Sequence, residues 1–94
     1  MAVYIDKMNA KYKRMIMCHM FADSEDELKE MARKIGVDTK WIQYPGTYRV
    51  HFDICLAMKE KALSLGAAEI THSQLRALLK KKKNLFNIDN EKPK

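Results

Sequence analysis

Two histidines and two aspartates are the side chains of this 94-residue chain best suited to chemistry: His19, Asp23, His51 and Asp53. His19 lies in the apolar run Met15 to Ala22, where an imidazole is costly unless it is hydrogen-bonded or put to use. Asp23 follows four residues later, at a strand-to-helix junction. His51 and Asp53 are separated by one residue, which puts both on the same side of an extended segment. Together the four could hold a transition metal, or could form a general base and the group that orients it. Ordinary readings compete with these: a core histidine usually finds a backbone carbonyl, and an aspartate before a helix usually caps it. No H-x-x-x-H pair, His-Asp doublet or cysteine ligand sharpens the metal option, so the sequence names no cofactor. With only Gly36, Gly46 and Gly66, the chain has no Walker A loop, no G-x-G-x-x-G and no G-x-S-x-G. Cys18 is a weak candidate nucleophile because its strand position sends it into the core.

A second chemistry is anion affinity. Capped helix N-termini carry partial positive charge and free N–H groups, and they hold phosphate without a glycine-rich loop. Lys7, Lys11, Lys13, Arg14 and Arg49 fall on loops within reach of such an edge, and Trp41, Tyr44, Tyr48 and Phe52 offer rings for a base to stack on. Glu25, Asp26 and Glu27 oppose an anion at the first helix.

The elements that must position these residues follow from pattern. Ala2 to Asp6 reads as a short strand and Met15 to Ala22 as a second. The second is apolar on both faces and hence central. Ser24-Glu25-Asp26-Glu27 is a capping box; Leu28, Met31, Ala32 and Ile35 continue at helical spacing, and Gly36 closes the helix. Trp41 to Gln43 is expected to return to the sheet, Pro45-Gly46 to turn, and Tyr48 to Asp53 to be extended. A second helix is expected from about Asp53, as its N-cap, to Leu65. Ala67 to Ile70 is a short strand, and Thr71 to Gln74 caps a third helix that is amphipathic until its lysines begin. Strands alternating with helices favour an α/β fold with a mostly parallel sheet of three to four strands and about three helices, in which the junctions at Asp23, Asp53 and Thr71 share one edge.

Length and composition bound the class. A chain of 94 residues with 47% hydrophobic and 32% charged residues suits one globular domain, expected over residues 1–86 with a polar tail at 87–94. No apolar run approaches the roughly 20 residues of a membrane span. Cys18 and Cys55 read as reduced core thiols, which with the absence of a signal segment suggests the cytoplasm. The net charge of +6 sits mainly towards the C-terminal end, where residues 67–94 carry seven of the eighteen basic residues and three of the twelve acidic ones. The run Lys80 to Lys83 is a solvated helix end or a contact for nucleic acid.

The ordered blocks MAVYID, MCHMFAD, E-L-x-x-M-A-x-x-I-G, Trp41-x-Gln43, His51-Phe52-Asp53-Ile54 and Gly66-Ala67-Ala68-Glu69-Ile70-Thr71 resemble the domain of unknown function 4031 family, small proteins of bacteria and their phages. The likeness covers roughly residues 1 to 80 and, carried onto this chain, marks His19, Asp23, Trp41, Gln43, His51 and Asp53. Phe52 stands where similar members have tyrosine, and Lys59 or Lys61 where an arginine is common. The family name supplies no activity.

Three functions are therefore expected in order. The first is non-enzymatic binding of a small phosphorylated, nucleotide-like ligand by a homo-oligomer, which in a phage-type protein would mean sequestering a host signalling nucleotide. Its binding residues would be Arg14, Trp41, Gln43, Arg49, His51, Asp53 and Thr71. The second is a small hydrolase or nuclease using His19, Asp23, His51 and Asp53, with or without a divalent metal. The third is a nucleic-acid accessory role led by Lys80, Lys81, Lys82 and Lys83.

Overall fold

The computed structural model describes residues 2–7, 10–12 and 15–90. Five strands and three α-helices follow in order: β1 (Val3–Asp6), β2 (Ala10–Tyr12), β3 (Met15–Ala22), α1 (Glu25–Ile35), a 3-10 turn (Thr39–Trp41), β4 (Phe52–Cys55), α2 (Leu56–Ser64), β5 (Ala68–Ile70) and α3 (His72–Asn90).

β3 is the central strand, as its doubly apolar pattern predicts. β1 pairs with its C-terminal half at Val3↔Ala22 and Ile5↔Met20, and β2 with its N-terminal half at Ala10↔Met17 and Tyr12↔Met15, both antiparallel. β4 also pairs antiparallel with β3, from Met17↔Cys55 to Met20↔Phe52. Met17 and Met20 each have partners on both sides, so β1 and β2 share one side of β3 and β4 takes the other. β1 and β2 thus lie one after the other along the same side of β3, in registers that differ by two residues. β5 adds parallel to β1 through Tyr4↔Ala68 and Asp6↔Ile70.

The sheet is therefore mixed, with one parallel pair, and the expectation of a mostly parallel sheet is corrected. The physical reason is connection length. β2 and β3 are separated by too few residues for a crossover, so they must pair antiparallel. β3 consequently runs against β1, β4 and β5, and α1 starts at the opposite edge of the sheet from α2 and α3. The three helix N-termini do not share an edge.

Local boundaries move for equally specific reasons. Ser24 caps α1 as a capping box, accepting the Glu27 N–H at 3.2 Å while its hydroxyl meets the Glu27 carboxylate at 2.9 Å. Gly36, at φ 85°, ends the helix in the left-handed conformation that its lack of Cβ permits. Trp41 belongs to the 3-10 turn and not to a strand; Gln43 alone reaches the sheet region, in a bridge with His51. Asp53 does not cap α2. It lies inside β4, and the N-cap position falls to Cys55, which makes no side-chain cap. α3 begins at the Thr71–Gln74 capping box but continues past its lysines to Asn90.

Strand alternation sorts the chain onto two faces. Val3, Ile5, Cys18, Met20, Phe52 and Ile54 pack with Leu28, Met31, Ala32 and Ile35 of α1 and Ala62 of α2 into the main core. Each fully buried aliphatic of this set contributes about 1.5–3 kcal/mol of transfer free energy. On the opposite face Phe21 and Ile70 pack against Leu75, with Tyr4, Leu78 and Leu79 around them. α3 is the only helix that covers that second face among the described residues, and it covers it with its first turns.

Candidate functional site

The second face carries more than hydrocarbon, because alternation also delivers Asp6, His19, His51 and Asp53 to it. Asp6 ends β1 next to His19, and His19 pairs with Asp53 across β3 and β4. The three form a row over neighbouring strands, with His51 one pleat further along.

Asp6 is almost fully buried, at 1% exposure. One carboxylate oxygen accepts the backbone N–H of His19 at 2.9 Å and the other meets its Nδ1 at 2.7 Å. The carboxylate acts as acceptor, so Nδ1 carries the hydrogen. His51 Nδ1 lies 2.8 Å from the carbonyl oxygen of Arg49, which can only accept. Both rings are thereby fixed with Nδ1–H donating, and in their neutral form each presents a lone pair at Nε2.

Those two lone pairs face the same atom. Oδ1 of Asp53 is 3.5 Å from His19 Nε2 and 3.4 Å from His51 Nε2, yet it is buried without a hydrogen-bond partner. Proximity without a hydrogen bond is what three converging acceptors produce. Its other oxygen, Oδ2, accepts from Gln43 Nε2 at 2.5 Å, and Gln43 is itself pinned by two backbone hydrogen bonds to His51. The ligand atoms of His19, His51 and Asp53 all lie within 4.8 Å of one another. Two imidazole nitrogens and one carboxylate oxygen suit a divalent transition metal with coordination positions left open. The buried, unpartnered Oδ1 is the observation that a cation would satisfy.

The surroundings are built as well. Tyr44, held at φ 54°, stacks on His51 with ring centres 5.8 Å apart, and the Arg49 guanidinium lies 5.0 Å from the Tyr44 ring centre. Phe21 backs His51 at 5.1 Å. A cleft of about 210 Å³ opens above them, between His19, Phe21 and His51 on the sheet side and His72, Leu75 and Leu79 of α3.

Not every expected residue arrives here. Asp23 sits at the far edge, where its carboxylate accepts the Tyr4 hydroxyl at 2.9 Å; burial and that carboxylate together raise the Tyr4 pKa. Trp41 is 65% exposed on the 3-10 turn, with Lys40 over its ring, and does not line the cleft. Thr71 caps α3, whose first turn borders the cleft. Arg14 and Lys13 lie outside the described residues. Cys18 faces the main core, where burial raises its thiol pKa, and neither cysteine is in a disulfide. The lysine run is divided by the helix: Lys80 and Lys83 face a groove beside the cleft, whereas the half-buried Lys82 donates to the Ala22 carbonyl at 2.8 Å.

Sequence reasoning missed Asp6, which read only as the end of a strand. A lone acid closing an apolar strand, with a histidine in the next strand, was the available signal. His72 was read only as part of a capping box, and its place in the cleft follows from the docking of α3.

These features define a small α/β domain with a histidine–carboxylate cluster on one sheet face. The chain belongs to the protein of unknown function family DUF4031, whose model matches residues 3–82. Comparison with curated proteins and with solved structures gives no match.

Proposed function

We propose that the protein is a metal-dependent hydrolase of phosphoester bonds in nucleotide-like substrates, with His19, His51 and Asp53 as the metal ligands. The observation that carries this reading is the convergence of two tautomer-fixed Nε2 atoms on the buried, unpartnered Oδ1 of Asp53. Asp6, Gln43 and the Arg49 carbonyl orient the ligands, a role worth roughly 10–100-fold in metal affinity in comparable sites. A divalent cation held by His19, His51 and Asp53 would supply an activated water and polarisation of a phosphoryl oxygen. In the reaction the water oxygen bonds to phosphorus, the bond from phosphorus to the leaving oxygen breaks, and the water proton passes to that oxygen through His72 or solvent. The positive charge of Arg49 beside the cleft favours a phosphate substrate over a neutral one.

Calorimetry with Zn²⁺, Mn²⁺ and Co²⁺ should show one saturable site per chain that His51→Ala weakens by more than 100-fold. Mass spectrometry of a nucleotide pool, and bis(p-nitrophenyl) phosphate as a generic diester, should report products that disappear with a chelator and in the same variant. No saturable site for any of the ions, or turnover that persists in His51→Ala, overturns the reading.

A second reading keeps the site and removes the turnover: a nucleotide-like ligand is held at the cleft without being cleaved. The first turn of α3 at the cleft favours it, since N–H groups there suit an anion. It predicts calorimetric binding of a mono-, di- or cyclic nucleotide that is recovered unchanged.

A further inference from the structure

The cleft over the histidines does not end at Arg49. Arg49 and Leu79 are shared with a neighbouring groove of about 350 Å³, which Arg76, Lys80, Lys83 and Tyr48 complete. No carboxylate lines that groove, and among the described residues none of its four cations is in an ion pair. Arg76, Lys80 and Lys83 stand at i, i+4 and i+7, one face of α3, over about 10 Å of helix. That face turns towards the side of the sheet on which the histidines lie.

Three cations along one helix face, with Arg49 on the other side of the groove and none of them in an ion pair, exceed what one phosphate requires. A mononucleotide would fill the smaller cleft and leave the groove vacant. A chain of phosphates occupies both. At about 3.4 Å per nucleotide along a stacked strand, the cationic face matches roughly three nucleotides. The half-buried Tyr48 ring on the groove wall offers a surface against which an unpaired base can stack, which the paired bases inside a duplex cannot reach.

We infer that this groove takes single-stranded nucleic acid, laying its phosphates along Arg49, Arg76, Lys80 and Lys83 so that one phosphodiester reaches the His19–His51–Asp53 centre. The inference rests on the reading of that centre as the reacting site, and it specifies the substrate class. It differs from a general attraction of a basic protein for polyanions, because it assigns the affinity to one helix face.

The test is fluorescence anisotropy with labelled 12-nucleotide single-stranded DNA and RNA and a hairpin duplex, across a salt series and in EDTA, so that binding is read apart from turnover. Arg76→Glu is compared with Lys61→Glu, an equal charge reversal on α2 across the sheet. Arg76→Glu should weaken single-strand binding at least 10-fold and lower the salt slope, while Lys61→Glu changes it less than 2-fold. With metal restored, the wild-type chain should cleave the single strand and spare the duplex. Equal effects of the two substitutions, or duplex bound as tightly as single strand, overturn the inference whatever the turnover. Failure of the reacting centre is read separately, from bis(p-nitrophenyl) phosphate, which is too small to need the groove.

Discussion

Asp6 shows how much one buried carboxylate can organise. It takes two hydrogen bonds from a single residue, His19, and so sets both the backbone and the ring of one of the proposed metal ligands. Asp6→Asn keeps the shape but offers an amide in place of one acceptor oxygen, and it no longer enforces Nδ1–H on the ring. We expect metal affinity to fall 10–100-fold by calorimetry with the circular dichroism spectrum unchanged; full affinity in this variant would remove Asp6 from its orienting role. The chemistry of the site was partly legible from residue types, since His19, His51, Asp53 and Gln43 all stand out in the sequence. Asp6 was not, because its importance lies in a neighbour across the sheet, and pairing of that kind is invisible until register is known.

At the scale of elements, the 44–50 loop decides whether His51 and Arg49 stay in place, and α1 anchors it. The Glu25 carboxylate accepts the Gly46 N–H at 2.8 Å and pairs with Lys29 at 3.1 Å. The Gly46 hydrogen bond, then Lys29, hold this carboxyl below its ordinary range. Glu69, paired with Lys59, is held down in the same way. A depressed carboxyl binds its proton less readily in the folded chain than in the unfolded one. Its stabilisation is therefore whole above the ordinary value of about 4.3 and disappears as pH falls through the lower folded value. Urea midpoints from pH 7 to pH 3 should fall at the acid end, and Glu25→Gln should flatten part of that fall; an identical acid slope in the variant would mean that the tether carries no stability. α1 itself, with its capping box, its apolar stripe and its glycine stop, could be read directly from the sequence. The start of α2 could not. Asp53 has the type of a cap, and only the pairing of β4 with β3 claims it for the sheet.

Across the whole molecule the two faces of the sheet divide the labour: α1 and α2 close a hydrocarbon core, while α3 roofs the polar face and extends beyond it, giving extents of 47 × 26 × 26 Å. One charge is nevertheless buried on the hydrocarbon side. Lys59 is 6% exposed and joins Glu69 at 2.5 Å and the Asp6 carbonyl at 3.4 Å, tying α2 to β5 and β1. Breaking such a pair from one side costs more than replacing its buried member with hydrocarbon. Glu69→Ala should lower Tm by several degrees, whereas Lys59→Met, which leaves the more exposed glutamate to water, should lower it less; the reverse order in a thermal scan would contradict this account. The mixed sheet was the feature least visible in the sequence. Alternating strands and helices argue for parallel pairing, and the short reach between β2 and β3 overrules that argument at one place.

The placement of the histidine–carboxylate centre on paired strands has an evolutionary consequence. Sites carried on loops drift by gaining and losing residues, but a single insertion within β4 would turn core residues such as Ile54 towards the cleft and cleft residues such as Asp53 into the core, and one within β3 would do the same to Met20 and His19. Descendants of this chain can thus alter the chemistry of this centre only by exchanging one side chain for another in place, and their diversity should collect in the 44–50 loop and along α3, where lengthening the chain leaves His19, His51 and Asp53 undisturbed.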